Sequence, residues 1–463
     1  VHDPTPALAH QAAHAAEYLD DLRALVRIPS VSAPAFPARE VRRSAHATAA
    51  LLERRGLERV ELLELPGVHP YVHAELVHDP ALPTVLLYAH HDVQPPGDPD
   101  GWRSPPFEPA LRGGRLYGRG SADDKAGIVV HAAAVESWLR GAGALPVNVR
   151  VLVEGEEETD STHLPELLRA YRHRLSADAV VVADAGNLAT GWPSLTTSVR
   201  GHVALAVEVR ALERPLHSGL GGGPVPDAAL ALATMLASLV ARDGTILVPG
   251  LLERVRPPGP AELAALARLP VTRELFARHA GLLDGVELVG TRHPLEASWY
   301  GPSLTVDALE AGGGGAAADA IQPRASARLG VRLIPDMEPG EVAGLVAAAL
   351  RRAAPWGVQV SVDALAAASP WRADTTHPAF PAALRALSRG YEREAVAVGC
   401  GASIGVVAPL VRELGGIPAL VVGVEDPGSR AHAQDESVDV AELGRATRAA
   451  IHLLAELGEV LRR

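Results

Sequence analysis

The sequence predicts an α/β protein in two parts: a three-layer α/β/α domain built from residues 1–198 and 367–463, and a smaller inserted α+β domain built from residues 199–366. Three observations lead there. In the first third of the chain, short runs that are apolar at consecutive positions surround an Ala-rich, helix-like stretch. From Val199 apolar and polar residues alternate instead, and after Ser369-Pro370 the first texture returns. Consecutive apolar strands suit a parallel sheet covered by helices on both faces, whereas alternation marks a sheet with one open face.

Taken in order, residues 7–27 and 38–56 carry helical periodicity, with Leu19, Leu22, Leu25 and Val26 on one face. Pro29 and the stretch Pro34–Pro37 separate them. Thr84–Tyr88 (TVLLY), Asn148–Val153 (NVRVLV) and Ala179–Ala183 (AVVVA) are strands, and Lys125–Arg140 is a helix between the first two. In the inserted domain the strands are Val199–Leu212, Ala325–Ile334 and Val358–Val362, with a helix over Asp227–Val240. Gly312–Gly315 reads as a flexible loop. Ala419–Val424 (ALVVGV) is a closing strand and Val440–Leu461 a closing helix.

The length, 463 residues, favours more than one domain, and a hydrophobic content of 48% is ample for ordinary cores. The net charge of −12, without a basic block, argues against nucleic acid and anionic membranes as partners. A single cysteine, Cys400, allows no disulfide within the chain and fits a reducing compartment. No apolar run approaches the ~18–20 residues that span a bilayer. Nor does a charged segment followed by an apolar one open the chain as a secretory signal would. The expectation is a soluble, cytoplasmic protein.

Histidines and carboxylates cluster just after the apolar runs, where open α/β sheets place their ligand sites. His90-His91-Asp92 follows the first strand and Glu154-Gly155-Glu156-Glu157-Glu158 the second. Asp184 follows the third, Asp123-Asp124 precedes the Lys125 helix, and His432 comes eight residues after the last strand. Singly, each has an ordinary reading: a solvated loop, an acidic surface, a helix cap, a surface histidine. Together, converging on one sheet edge, these groups need positive charge, and a pair of divalent cations supplies it. Imidazole with carboxylate suits zinc or manganese, and one carboxylate shared by two ions gives the arrangement of two-metal hydrolysis.

These segments resemble the M20 metallopeptidase family, in particular its carnosinase-like dipeptidase branch. The resemblance rests on His90-His91-Asp92-Val93-Gln94-Pro95, on Gly118 through Ala126, where Ala126 replaces the usual Gly, and on Glu154 through Glu158. It extends to His432 and covers nearly the whole chain. It implies a zinc-peptidase-like catalytic domain with an inserted lid and dimerisation domain. One ion would be held by His90, Asp123 and Asp184, and a second by Asp123, Glu158 and His432, with zinc first and manganese or cobalt as alternatives. Asp92 would orient His90 from behind, Glu157 would act as general base, and the Asp123–Asp124 peptide would be cis. His217, by its residues a turn histidine before the glycine-rich 219–223 stretch, would stabilise an oxyanion in the partner subunit. That role implies a homodimer. Arg332 would clamp the terminal carboxylate of the substrate, helped by Ser403.

Three positions depart from the family pattern. Gly405 stands where Pro ends a Gly-Gly-Ser-Ile-Pro loop, Cys400 where Glu is common, and Asp319 where Asn or Thr is usual. They spare the metal ligands and bear on substrate choice. The expected activity is amide hydrolysis of dipeptides, with an N-acyl-amino-acid amidohydrolase or carboxypeptidase as the alternative. A silent peptide-binding homologue would have lost a ligand or the base, yet all of these positions are filled. A closed structural zinc site of the cysteine-rich kind is excluded by the lone cysteine.

Overall fold

A strand with consecutive apolar residues must be covered on both sides, and the Thr84–His90 strand, apolar from Val85 to Leu87 and at Ala89, shows how this happens. The computed structural model describes residues 2–311 and 319–462; the Gly312–Gly315 tract lies outside them. The chain forms two compact units, one of residues 1–197, 373–398 and 405–463, the other of residues 198–372 and 399–404.

In the first unit, Val85, Leu87 and Ala89 pack with Ile128 and Val129 of the Lys125–Ser137 helix in one large core. The alternate residues Leu86 and Tyr88 are buried on the opposite face, as period-2 alternation requires. Strands lie side by side in the order Glu58–Leu63, Tyr71–Leu76, Asn148–Glu154, Thr84–His90, Ala179–Val182, Ala419–Val421, Ser194–Val199. The Asn148–Glu154, Thr84–His90, Ala179–Val182 and Ala419–Val421 strands run parallel, and the outer pairings are antiparallel. Register sets the height of each strand end. Tyr88 is level with Leu152 on one side and Val182 on the other. Two residues further on, His90, Glu154 and Asp184 therefore leave the sheet at one height.

The Lys125–Ser137 helix is buried along its whole length, which suits its run of Ala, Val and Ile. Asp124 caps it by accepting the Gly127 N–H. The Val440–Val460 helix starts at Asp439, which accepts from Ala441 and Glu442, and packs against the Ala379–Tyr391 helix. Gly390 permits that approach, since a Cβ there would meet the Ala449 nitrogen at 2.3 Å.

The second unit has a four-stranded antiparallel sheet in the order Ser303–Ala311, Arg324–Leu333, Gly201–Arg210, Gln359–Ala368. Val203, Leu205, Val207 and Val209 face a core shared with the Ala228–Ala237 and Pro339–Ala353 helices. Alternate residues such as Ala206, Glu208 and Arg328 are half-buried or exposed on the open face. The alternation expected for this part of the chain thus has a direct structural counterpart. Sequence periodicity did not reveal the Ser303–Ala311 strand, because it is largely exposed and has no buried stripe. The single helix expected over residues 7–27 is two, Thr5–Ala13 and Ala15–Val26, divided at His14.

Candidate metal centre

The strand ends deliver their side chains into one acidic pocket of the first unit. His90 closes its strand and is fully buried. Its backbone N–H donates to Asp124 Oδ2 at 3.1 Å, and the Asp123–Asp124 peptide is cis. His90 Nδ1 lies 3.1 Å from the Asp92 carbonyl oxygen and 3.5 Å from Asp92 Oδ1. An Nδ1–H bonded to that carbonyl leaves the Nε2 lone pair directed into the pocket. The Asp92 carboxylate has further work: it accepts from Ser32 Oγ at 2.7 Å, Glu157 N at 3.2 Å and Glu158 N at 3.1 Å. It thereby fixes the turn that presents both glutamates.

His90 Nε2 is 2.9 Å from Asp123 Oδ1 and 3.7 Å from Asp184 Oδ1. His432 Nε2 is 2.9 Å from Asp123 Oδ2 and 3.2 Å from Glu158 Oε2. Asp123 therefore turns one oxygen to each imidazole. Ligand atoms of His90, Asp123 and Glu158 all lie within 4.8 Å of one another, and so do those of His90, Glu157 and Asp184. The five ligands expected from the motifs, together with Glu157 and Asp92, are thus gathered in one place.

Electrostatics shows what this pocket lacks. Burial, reinforced by Asp184, pushes the Glu157 carboxyl well above its usual range, and burial with repulsion from Asp123 lifts Glu158 to about 7. Asp184 is raised by burial as well. The imidazoles respond in the opposite sense. Burial alone would depress His90, but Asp123, Asp184 and Asp92 push it well up, and Asp123 and Glu158 lift His432 to about 11. Asp123, between the two rings, is held below the carboxylate range despite its burial. Such a cluster calls for more positive charge than two imidazoles supply, and imidazole nitrogens with carboxylate oxygens are the donors that zinc and manganese take. The residues fit divalent ions.

The other residues expected at the site belong to the second unit. Arg332 Nη1 donates to Ser403 Oγ at 2.9 Å, so these two meet. Arg200 accompanies them, donating to the Gly401 carbonyl at 2.7 Å and the Gly301 carbonyl at 3.2 Å. Burial, with the charge of Arg332, brings the Arg200 pKa down to about 10. His217 is exposed, and its Nδ1 accepts the Gly219 N–H at 3.0 Å. Asp319 is exposed too, and its carbonyl accepts the Ser218 N–H at 2.7 Å.

Several residues of the metal pocket are not picked out by sequence. Gln94 grips Glu158, its N–H reaching Oε1 at 3.0 Å and its Nε2 reaching Oε2 at 2.8 Å. Glu425 belongs to the acidic set, pushed well up by burial and by Asp123. Glu154 opens the glutamate motif but anchors rather than faces the pocket, taking the Tyr88 hydroxyl at 2.7 Å and the Tyr71 hydroxyl at 2.9 Å. The one usable signal for Gln94 is its place inside the His90–Pro95 motif; Glu425 offers only its position after an apolar strand.

The model of peptidase family M20/M25/M40 matches residues 86–456. The chain belongs to this family. Cysteinylglycine-S-conjugate dipeptidase of Corynebacterium striatum is 33% identical over 81% of this chain and 82% of that protein. Human carnosine dipeptidase 1 superposes with a TM-score of 0.84 at 25% identity, covering 98% of this chain and 99% of that one. An M20 family metallo-carboxypeptidase from Sulfolobus solfataricus gives a TM-score of 0.85, also at 25% identity, over 96% and 99%. The chain is accordingly a hydrolase of the metallopeptidase kind, and the His, Asp and Glu groups above are where divalent ions fit. Among the described residues, no helix is long and apolar enough to cross a membrane.

Proposed function

We propose that this M20 enzyme hydrolyses the amide bond of dipeptides with two divalent ions, zinc first, held by His90, Asp123 and Asp184 on one side and by Asp123, Glu158 and His432 on the other. The observation that carries the reading is Asp123, with one oxygen 2.9 Å from each of the two imidazoles. When bound, the ions polarise the scissile carbonyl and make water a nucleophile near neutral pH.

The chain's own groups divide the remaining labour. Glu158 is pinned by Gln94 and His432, whereas Glu157 is held through its backbone N–H. Glu157 takes a proton from the attacking water and hands it to the leaving amine nitrogen. Asp92 keeps His90 in the right tautomer and holds the Glu157–Glu158 turn. Arg332 and Ser403 receive the terminal carboxylate of the substrate, for which a guanidinium beside a hydroxyl is well suited. His217 is assigned to the oxyanion of a partner subunit, which makes the working form a homodimer. With one cysteine, nothing in the composition calls for an oxidising compartment, and we place the enzyme in the cytoplasm.

A second reading, removal of an acyl group from an amino acid or carboxypeptidase action, is favoured by the likeness to the metallo-carboxypeptidase. A panel of dipeptides and N-acyl amino acids, offered to zinc-, manganese- or cobalt-loaded enzyme, separates the two. Dipeptides should be the better substrates by at least about tenfold in kcat/KM, or about 1.4 kcal/mol. Glu157→Gln should keep its ions and lose on the order of 10²–10⁴ in turnover. Activity within about threefold of wild type rejects the assigned base.

A further inference from the structure

We infer that Glu436 is a positioning residue for the metal centre, a buried carboxylate that shapes the loop presenting Asp123 and ties it to the segment presenting His432. This rests on the reading of Asp123 and His432 as metal ligands. The two segments first meet as a ladder: Ser437–Asp439 pairs antiparallel with Arg115–Tyr117, with Ser437 opposite Tyr117. The ladder ends where the Gly118 N–H donates to the Glu436 carbonyl at 2.9 Å. From that point the Glu436 side chain, 0% exposed, turns into the 118–123 loop.

All of its contacts there are donors. Oε2 accepts from Arg119 Nη1 at 2.6 Å and Gly120 N at 3.0 Å, while Oε1 accepts from Ala122 N at 3.0 Å and Asp123 N at 3.2 Å. Backbone N–H groups that converge in this way form an anion-binding concavity, here filled from within the chain. Gly120 makes the shape possible: its φ is +81°, and a Cβ there would meet Val93 at 2.5 Å. Both oxygens face donors only, the geometry of an anion site, although burial pushes the group's pKa up. It serves through Asp123, whose own N–H it holds. His432 lies four residues before Glu436 on the same segment, so one side chain sets the spacing of two ligands.

An Arg119–Glu436 ion pair that only stabilised the fold would place its weight on the guanidinium. Positioning places it on the N–H groups. Glu436→Gln separates the two, because the amide keeps the shape but turns an NH2 towards two donors. We expect zinc affinity, measured by chelator competition, to fall on the order of 10–100-fold, the range typical of groups that orient metal ligands. The visible spectrum of the cobalt-substituted protein should change with it. Arg119→Lys, which leaves the N–H bonds in place, should have the smaller effect on both. If Glu436→Gln does not fold, Glu436→Asp gives the same reading, since the carboxylate is withdrawn by one methylene with its charge kept.

Zinc affinity within about twofold of wild type and an unchanged cobalt spectrum, in whichever variant folds, would overturn the proposal even if the metal-free protein melts lower. An equal loss in Arg119→Lys would overturn it as well. A wild-type chain that takes up no divalent ion sinks the metal-centre reading and this inference together. Normal wild-type uptake with unaltered variants sinks this inference alone.

Discussion

Each unit gathers a cluster of like charge, carboxylates in the first and the Arg200–Arg332 pair in the second, and holds it by different means. In the first, carboxylates crowd around His90 and His432, and hydrogen bonds from backbone and side chains fix several of them. In the second, burial and then the charge of nearby Arg332 depress the Arg200 pKa, and among the described residues the two arginines donate to carbonyls and hydroxyls. One region is short of cations and the other of an anion. Strand ends give the acidic region its order. The basic region depends on antiparallel register, which sets Arg332 opposite His202, two residues from Arg200, and on the irregular 399–404 segment. The comparison teaches that an uncancelled charge marks a ligand only where neighbours hold it in place.

The strongest way to break this contrast is Asp123→Ala. It removes the oxygen presented to each imidazole, and the variant should bind no more than one ion and lose at least about 10³ in turnover. Retention of two ions by elemental analysis would contradict the shared-carboxylate arrangement.

Acid should strain the first unit through its buried histidines. His131, bonded to the Tyr88 carbonyl at 3.0 Å, is brought down to about 4 by burial. A folded pKa below the unfolded 6.5 means that the neutral ring stabilises fully above about pH 6.5, and that this contribution drains away as pH falls towards about 4. Wild type should lose on the order of 3 kcal/mol over that window that His131→Gln does not lose. Parallel pH slopes in denaturant titrations of the two proteins would refute it.

For the second unit, Arg332→Ala should lower kcat/KM by roughly 30–150-fold, about 2–3 kcal/mol for a hydrogen bond to a charged group, mainly through KM. A substrate with an amidated terminus should be equally poor for both proteins. If the variant discriminates between acid and amide as wild type does, the carboxylate lies elsewhere. The smallest effect should come from Gln94→Ala, which frees Glu158: about tenfold weaker zinc binding, with turnover restored at saturating zinc. Unchanged affinity would show that the Gln94 contacts are incidental.

Much of the first unit is legible in the sequence because its chemistry is local. Short, largely apolar runs suggest doubly covered strands, and His90, Glu157, Glu158 and Asp184 sit within a few residues of their ends, so texture and motif point to one edge; Asp123 and His432 come from loops and are legible through the motif alone. Positions set by tertiary pairing are not legible. Glu436 looks like any glutamate in Gln434-Asp435-Glu436, and only the pairing of residues 437–439 with residues 115–117 reveals what it holds. Arg200 reads as one polar residue within the alternating Val199–Leu212 strand, whereas it lies between the Ser194–Val199 and Gly201–Arg210 strands, and its approach to Arg332 depends on a register that no short window contains. The Glu58–Leu63 strand, at the sheet edge and mostly exposed or half-buried, lacks the burial that makes a strand readable.

The common height of Tyr88, Leu152 and Val182 turns strand length into a ruler. One extra residue in the Thr84–His90 strand would advance His90 by about 3.3 Å and rotate it to the opposite side of the sheet, while every apolar contact further back stayed in place. Such a protein would keep its core and forfeit its chemistry. An engineer altering what this enzyme accepts can therefore reshape the loops beyond that line, but must leave the count of residues behind it alone.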